Sequence, residues 1–155
     1  MKNEAKNERK IQRRPINEIK FVFPSHSVNE SVARSVVAAF CSLLDPSSVE
    51  IADIKCAVSE AVTNAIVHGY RDSVGEIYIK VMLFEDSVVR IEIKDKGRGI
   101  ENVAKAMQPL YTTDAENERS GMGFTVMQSF CDSVRVRSKI GKGTTVVLSK
   151  VFESK

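Results

Sequence analysis

The sequence predicts a two-layer α/β sandwich, with helices on one face of a mixed sheet. Three observations lead there. Apolar and polar residues alternate in several short segments, as in half-buried strands. Three other stretches carry apolar residues at helical spacing. The length, 155 residues, supports one domain with a sizeable core and no need of a metal or disulfide to fold.

Residues 1–18 form a basic N-terminal extension without apolar periodicity, expected to be disordered, and residues 19–155 form the folded domain. Ile19, Phe21 and Phe23 alternate with Lys20 and Val22, which predicts a strand ended by Pro24. Ser27 or Asn29 is expected to cap the next helix, because Ser27 precedes Glu30 by three residues. Val32, Val36, Ala39, Phe40 and Leu43 carry that helix to Leu44. Asp45-Pro46-Ser47-Ser48 makes a turn and a new cap, and a second helix runs from about Val49 to His68, with Gly69 as its stop. Residues 76–84 and 88–94 alternate as two strands. Residues 95–123 dissolve into Gly and polar residues, a functional loop or lid with one short helix near Val103. Residues 124–130 resume helical spacing. Val134, Val136 and residues 144–151 give two last strands.

Hydrophobic residues are 43% and charged residues 28%, a globular mix, and without Trp the core must be largely aliphatic. Residues 1–20 hold seven basic and three acidic side chains, while residues 21–155 hold 16 and 17. The near-neutral body argues against a large nucleic-acid-binding face. No apolar run approaches membrane-spanning length, and Met1–Arg14 has no signal-peptide core, so a cytoplasmic protein with no membrane contact is expected. Cys41, Cys56 and Cys131 form no CxxC pair and read as reduced core thiols.

The second helix places Glu60, Asn64 and His68 at i, i+4 and i+8, one polar stripe opposite Ile51, Val58, Ala61, Val62 and Ala65. Such a stripe is a solvated edge or one wall of a metal–nucleotide site. In the second case Asn64 offers Mg²⁺ a neutral oxygen, and Glu60 can accept a proton from an attacking hydroxyl. Asp95-Lys96-Gly97-Arg98-Gly99 follows a strand; it is a turn, or a close approach to a flat ligand with Asp95 accepting from an exocyclic amine. Arg119-Ser120-Gly121-Met122-Gly123 opens a helix whose free N–H groups suit a phosphate.

The three motifs in this order resemble the GHKL superfamily. EAVTNAIVHGY (60–70), QPLYTT (108–113) and ERSGMGFTVMQSF (118–130), with NESVARSVVAAF (29–40), resemble the anti-sigma F family of spore-forming bacteria. The likeness runs over roughly residues 19–150. It implies the Bergerat fold, ATP with Mg²⁺ as ligand, and ADP as product. It implies Glu60 as general base for a substrate serine and Asn64 as the Mg²⁺ ligand. Asp95 would read adenine, lined by Gly97 and Gly99, with Thr144 beside it. Residues 109–120 would form a lid carrying Thr113, Arg119 and Ser120 near the phosphates. Gly121, Met122 and Gly123 would bring a helix N-terminus to the triphosphate. Arg34 matches the family's partner-binding arginine.

The implied activity is that of a serine kinase and anti-sigma factor. It would bind a sporulation sigma factor and phosphorylate an anti-anti-sigma protein, as a homodimer without direct nucleic-acid contact. The alternatives are a general-stress anti-sigma kinase and a non-catalytic ATP-gated binding module. Lys96 and Arg98 depart from the family pattern and are expected to face solvent. The basic leader is an addition to it, and the resemblance gives His68 no role.

Overall fold

A computed structural model of the chain describes residues 13–108 and 123–153. One five-stranded sheet runs in the order β1-β2-β3-β5-β4. The strands are β1 (Asn17–Pro24), β2 (Glu76–Phe84), β3 (Val88–Asp95), β4 (Ser133–Lys139) and β5 (Gly143–Val151). The helices are α1 (Asn29–Cys41), α2 (Ser48–Asn64), α3 (Val103–Ala106) and α4 (Gly123–Phe130).

The two-layer architecture is as expected, but every strand pairing is antiparallel, so the sheet is not mixed. The reason lies in the connections. β2–β3 and β4–β5 are hairpins. Two helices separate β1 from β2, so the chain reverses three times and returns antiparallel to its neighbour. The folded part also begins earlier than expected: β1 starts at Asn17, and the Ile16 N–H donates to the Leu83 carbonyl at 2.7 Å.

The alternation of β2 and β3 turns Ile77, Ile79, Val81, Val89, Ile91 and Ile93 towards the helices, where all are buried. Ile54, Val58, Ala61 and Val62 of α2 meet them, with Val37 of α1 and Met127 of α4 alongside. Burying each large aliphatic side chain contributes about 1.5–3 kcal/mol, so this interface fixes α2 across the sheet. Lys150 of β5 pairs with Asp53 of α2 at 3.6 Å and donates to the Phe130 carbonyl at 2.9 Å.

The two Ser-x-x-Glu segments behave differently. Ser47 caps α2 in a reciprocal capping box with Glu50. At α1 the expected cap is absent: Val28 occupies the N-cap position with no side-chain bond. The Glu30 carboxylate is taken instead by Arg34, at 3.1 Å, and by the Ser59 hydroxyl of α2. Gly69 does not stop the second helix either. α2 widens at its end into a π-helical turn, Ala65–Tyr70, and the reversal falls at Arg71, whose φ is 46°. Of the cysteines, Cys41 is buried and Cys131 half-buried, but Cys56 is exposed on α2, so it is not a core thiol; all three are free thiols. No helix among the described residues is long and apolar enough to cross a membrane.

Candidate functional site

The π-helical turn and the loop after β3 are tied together. The Arg98 N–H donates to the Gly69 carbonyl at 2.9 Å, and Arg98 Nε donates to the His68 carbonyl at 2.9 Å. The contact needs glycine: a Cβ on Gly97 would lie 2.0 Å from the Gly69 oxygen. The widened turn thus delivers the end of α2 onto the Asp-x-Gly-x-Gly loop. Arg98 is exposed but not merely solvated, since its guanidinium fastens that junction and borders the adjoining cavity.

That cavity, of about 850 Å³, lies between α2, β3, β5, α3 and the start of α4. It is within the range of small-molecule sites. Ala61, Ala65, Ile93 and Val146 give it an apolar floor that suits a flat ring. Asp95 stands at the edge of the floor and is 5% exposed. Burial pushes its carboxyl above the ordinary aspartate range, and hydrogen bonds from the Gly97 and Thr144 backbones partly offset this. The Gly97 N–H reaches Asp95 Oδ1 at 2.9 Å. Thr144 is the register partner of Asp95 across β3 and β5, and its hydroxyl meets that of Ser138 at 2.8 Å. A buried carboxylate beside an apolar platform accepts a hydrogen bond from an amine at the edge of a flat heterocycle.

Asn64 also lines the cavity. A Cβ on Gly123, the first residue of α4, would lie 3.3 Å from both Asn64 Oδ1 and Glu60 Oε2. Glycine there lets α4 begin directly against both polar side chains. One neutral oxygen with a neighbouring carboxylate fits Mg²⁺, which keeps water and takes phosphate oxygens rather than needing a protein cage. No group of three or more His, Cys, Asp or Glu side chains forms a metal cluster among the described residues.

Asn64, Asp95, Gly99, Gly123 and Thr144 therefore share one cavity with His68. Glu60 sits one turn from Asn64, at the rim rather than in the wall. Gly97 lies behind the wall, against Gly69. Arg34 lies elsewhere, on α1, where its guanidinium meets Glu30 at 3.1 Å and the Ser59 hydroxyl at 3.3 Å. Thr113, Arg119, Ser120, Gly121 and Met122 lie outside the described residues, as does the lid expected over 109–120. Sequence reasoning gives Gly69 only as a helix stop and misses its contact with Asp95, 26 positions away. It also missed the α3 side of the cavity, where Asn102, Lys105 and Ala106 complete the wall.

An open sheet backed by helices, with a cavity at the end of the second helix that has an apolar floor and a buried acid, defines a ligand-binding α/β domain. The histidine kinase-like ATPase domain matches residues 23–150. An anti-sigma F factor of Thermoanaerobacter sp. strain X514 is 55% identical over 138 residues, covering 89% of this chain and 96% of that one. Those of Clostridium acetobutylicum and Geobacillus sp. strain WCH70 are 53% and 56% identical, covering 88% and 86% of this chain and 94% and 92% of theirs. Among solved structures, the RsbU and RsbW domains of Rv1364c from Mycobacterium tuberculosis superpose with a TM-score of 0.64 at 22% identity. The match covers 89% of this chain and 32% of that one. The chain belongs to the anti-sigma F factor family of histidine kinase-like ATPase domains.

Proposed function

We propose that this protein is an ATP-dependent serine kinase that also acts as an anti-sigma factor in the cytoplasm of a spore-forming bacterium. With ATP bound it would hold a sporulation sigma factor away from RNA polymerase. It would phosphorylate a serine of an anti-anti-sigma protein that competes for the same surface, and it would work as a homodimer. The observation that carries the reading is the meeting of Glu60, Asn64 and Gly123 at one end of a cavity whose edge holds the buried Asp95. The names of the relatives supply the anti-sigma role.

The chain's own residues divide the work. Asp95 accepts a hydrogen bond from the adenine amine while Ile93 and Val146 support the ring. The start of α4 at Gly123 would face the phosphates, where a helix N-terminus suits an anion. Thr113, Arg119 and Ser120 are proposed from the family motif to contact them as well. Asn64 would hold Mg²⁺, which supplies charge neutralisation on the transferring phosphoryl group. Glu60 accepts the proton of the substrate serine as its oxygen bonds to the γ-phosphorus. The bond from that phosphorus to the bridging oxygen breaks, and ADP leaves. Catalysis of this kind rests on positioning and charge rather than covalent chemistry.

The test is to incubate the chain with labelled ATP and the co-encoded anti-anti-sigma candidate, then locate the phosphate. A phosphoserine supports the reading. Sigma should bind about 5- to 150-fold more tightly with a non-hydrolysable ATP analogue than with ADP. Nucleotide-dependent sigma binding without any phosphoserine would leave the ATP-gated binding module.

A further inference from the structure

The near-neutral charge of the body hides a segregation that the sheet reveals. The face turned away from the helices carries Arg90 and Lys94 on β3, with Lys96 just beyond. On β4 it carries Arg135, Arg137 and Lys139. The residues between them on β5 are Thr145, Val147 and Ser149, all short. Register aligns Lys94, Thr145 and Arg137 in one cross-strand row. At the spacing of neighbouring strands, the two columns stand about 10 Å apart; on β4 successive cations are about 6.7 Å apart, and on β3 Arg90 and Lys94 are about 13 Å apart with Glu92 between them.

Glu92 is the one acid at an outward position of these three strands. Lys94, Arg135, Arg137 and Lys139 are exposed and form no ion pair among the described residues. Beside the trough, on β2, Tyr78 presents a half-buried ring with Lys96 Nζ 4.8 Å from its centroid.

We propose that this outer face binds a single nucleic-acid strand along its phosphate backbone. Long cations flank a floor one strand wide, a shape that seats one phosphodiester chain. Thr145 and Ser149 hydroxyls can donate to phosphate, and the Tyr78 ring offers a surface on which a base stacks. An anionic membrane would call for large apolar side chains projecting between the cations, and the trough floor has none. The face is on the opposite side of the sheet from α2 and α4, so this binding is independent of the nucleotide cavity.

The experiment uses the full chain and a labelled 20-mer of deoxythymidine, followed by fluorescence anisotropy from low to physiological salt. Binding should weaken steeply with salt, because each neutralised phosphate releases counterions. The triple variant Arg135→Gln, Arg137→Gln, Lys139→Gln should bind at least ten-fold more weakly, and the slope of log K against log salt should fall by about 2. Glu92→Gln should bind about two- to three-fold more tightly, a gain that a misfolded chain would not produce. ATP binding should be unchanged in both variants. The proposal is overturned by salt-insensitive binding, or by a triple variant that binds like the parent. It is equally overturned if a 20-base-pair duplex, or vesicles of phosphatidylserine and phosphatidylcholine, bind more tightly than the single strand through the same residues.

Discussion

Gly69 lies against the carboxylate of Asp95: a Cβ there would stand 2.8 Å from both Asp95 Cγ and Oδ1. The end of the second helix therefore holds the site's buried acid in place from behind. Gly69→Ala must push Asp95 aside or unfasten the turn from the loop after β3. A charge-assisted hydrogen bond is worth about 1.5–3 kcal/mol. ATP and ADP affinity should thus fall about ten- to a hundred-fold together, as with Asp95→Ala, and calorimetry reads this directly. Parental affinity in Gly69→Ala would contradict the role given to this contact.

Asp95 should carry a stability cost as well as a binding role. Burial raises its folded pKa above the ordinary aspartate value of 3.8. The folded state then holds the proton more tightly than the unfolded one. Stability from this group is present below pH 3.8 and is lost as pH rises through the folded value. At neutral pH the buried charge destabilises the ligand-free chain. Asp95→Asn should accordingly raise the ligand-free Tm at pH 7 by about 2–4 °C, on the order of 1 kcal/mol. The gain should shrink as the pH falls towards 3.8. ATP affinity should drop in the same variant. Thermal unfolding at several pH values, beside a nucleotide titration, checks both signs.

The strands and helices were legible because each rests on local pattern: the alternation of 76–84 and 88–94 gives β2 and β3 almost to the residue. What stayed hidden is non-local. Ser27 and Ser47 stand in the same Ser-x-x-Glu word, yet only Ser47 caps, because Glu30 is claimed by Ser59, 29 positions away. Gly69 reads as a helix stop by type, while its real constraint is the backbone of Gly97 and the carboxylate of Asp95. Strand direction was misjudged because no single strand records its neighbour. In the site, the family resemblance brings Asn64, Asp95, Gly123 and Thr144 together, and the structure has all four lining one cavity, but nothing local announces that Arg98 bonds to the His68 carbonyl.

Arg34 is held between two helices by Glu30 and by Ser59, the residue next to Glu60 in the chain. It is half-exposed and does not line the cavity. Truncating an arginine anchor costs about 2 kcal/mol or more at an interface. Arg34→Ala should therefore weaken sigma and anti-anti-sigma binding by about thirty-fold, with ATP affinity intact. Ser59→Ala should weaken partner binding less, since Glu30 still holds the guanidinium. Pull-downs equal to the parent with both partners would show Arg34 to be a solvated helix charge.

The central claim is phosphoryl transfer to a serine with Glu60 as the base, and a single-turnover assay of Glu60→Gln tests it most directly. The amide keeps the size of the side chain and its place beside Asn64 and Gly123, but it cannot take the proton. Transfer from labelled ATP to the anti-anti-sigma serine should slow by about 10²-fold or more, the scale of a lost general base. ATP affinity should stay within about two-fold of the parent. Phosphoserine forming at the parental rate in Glu60→Gln would contradict the account.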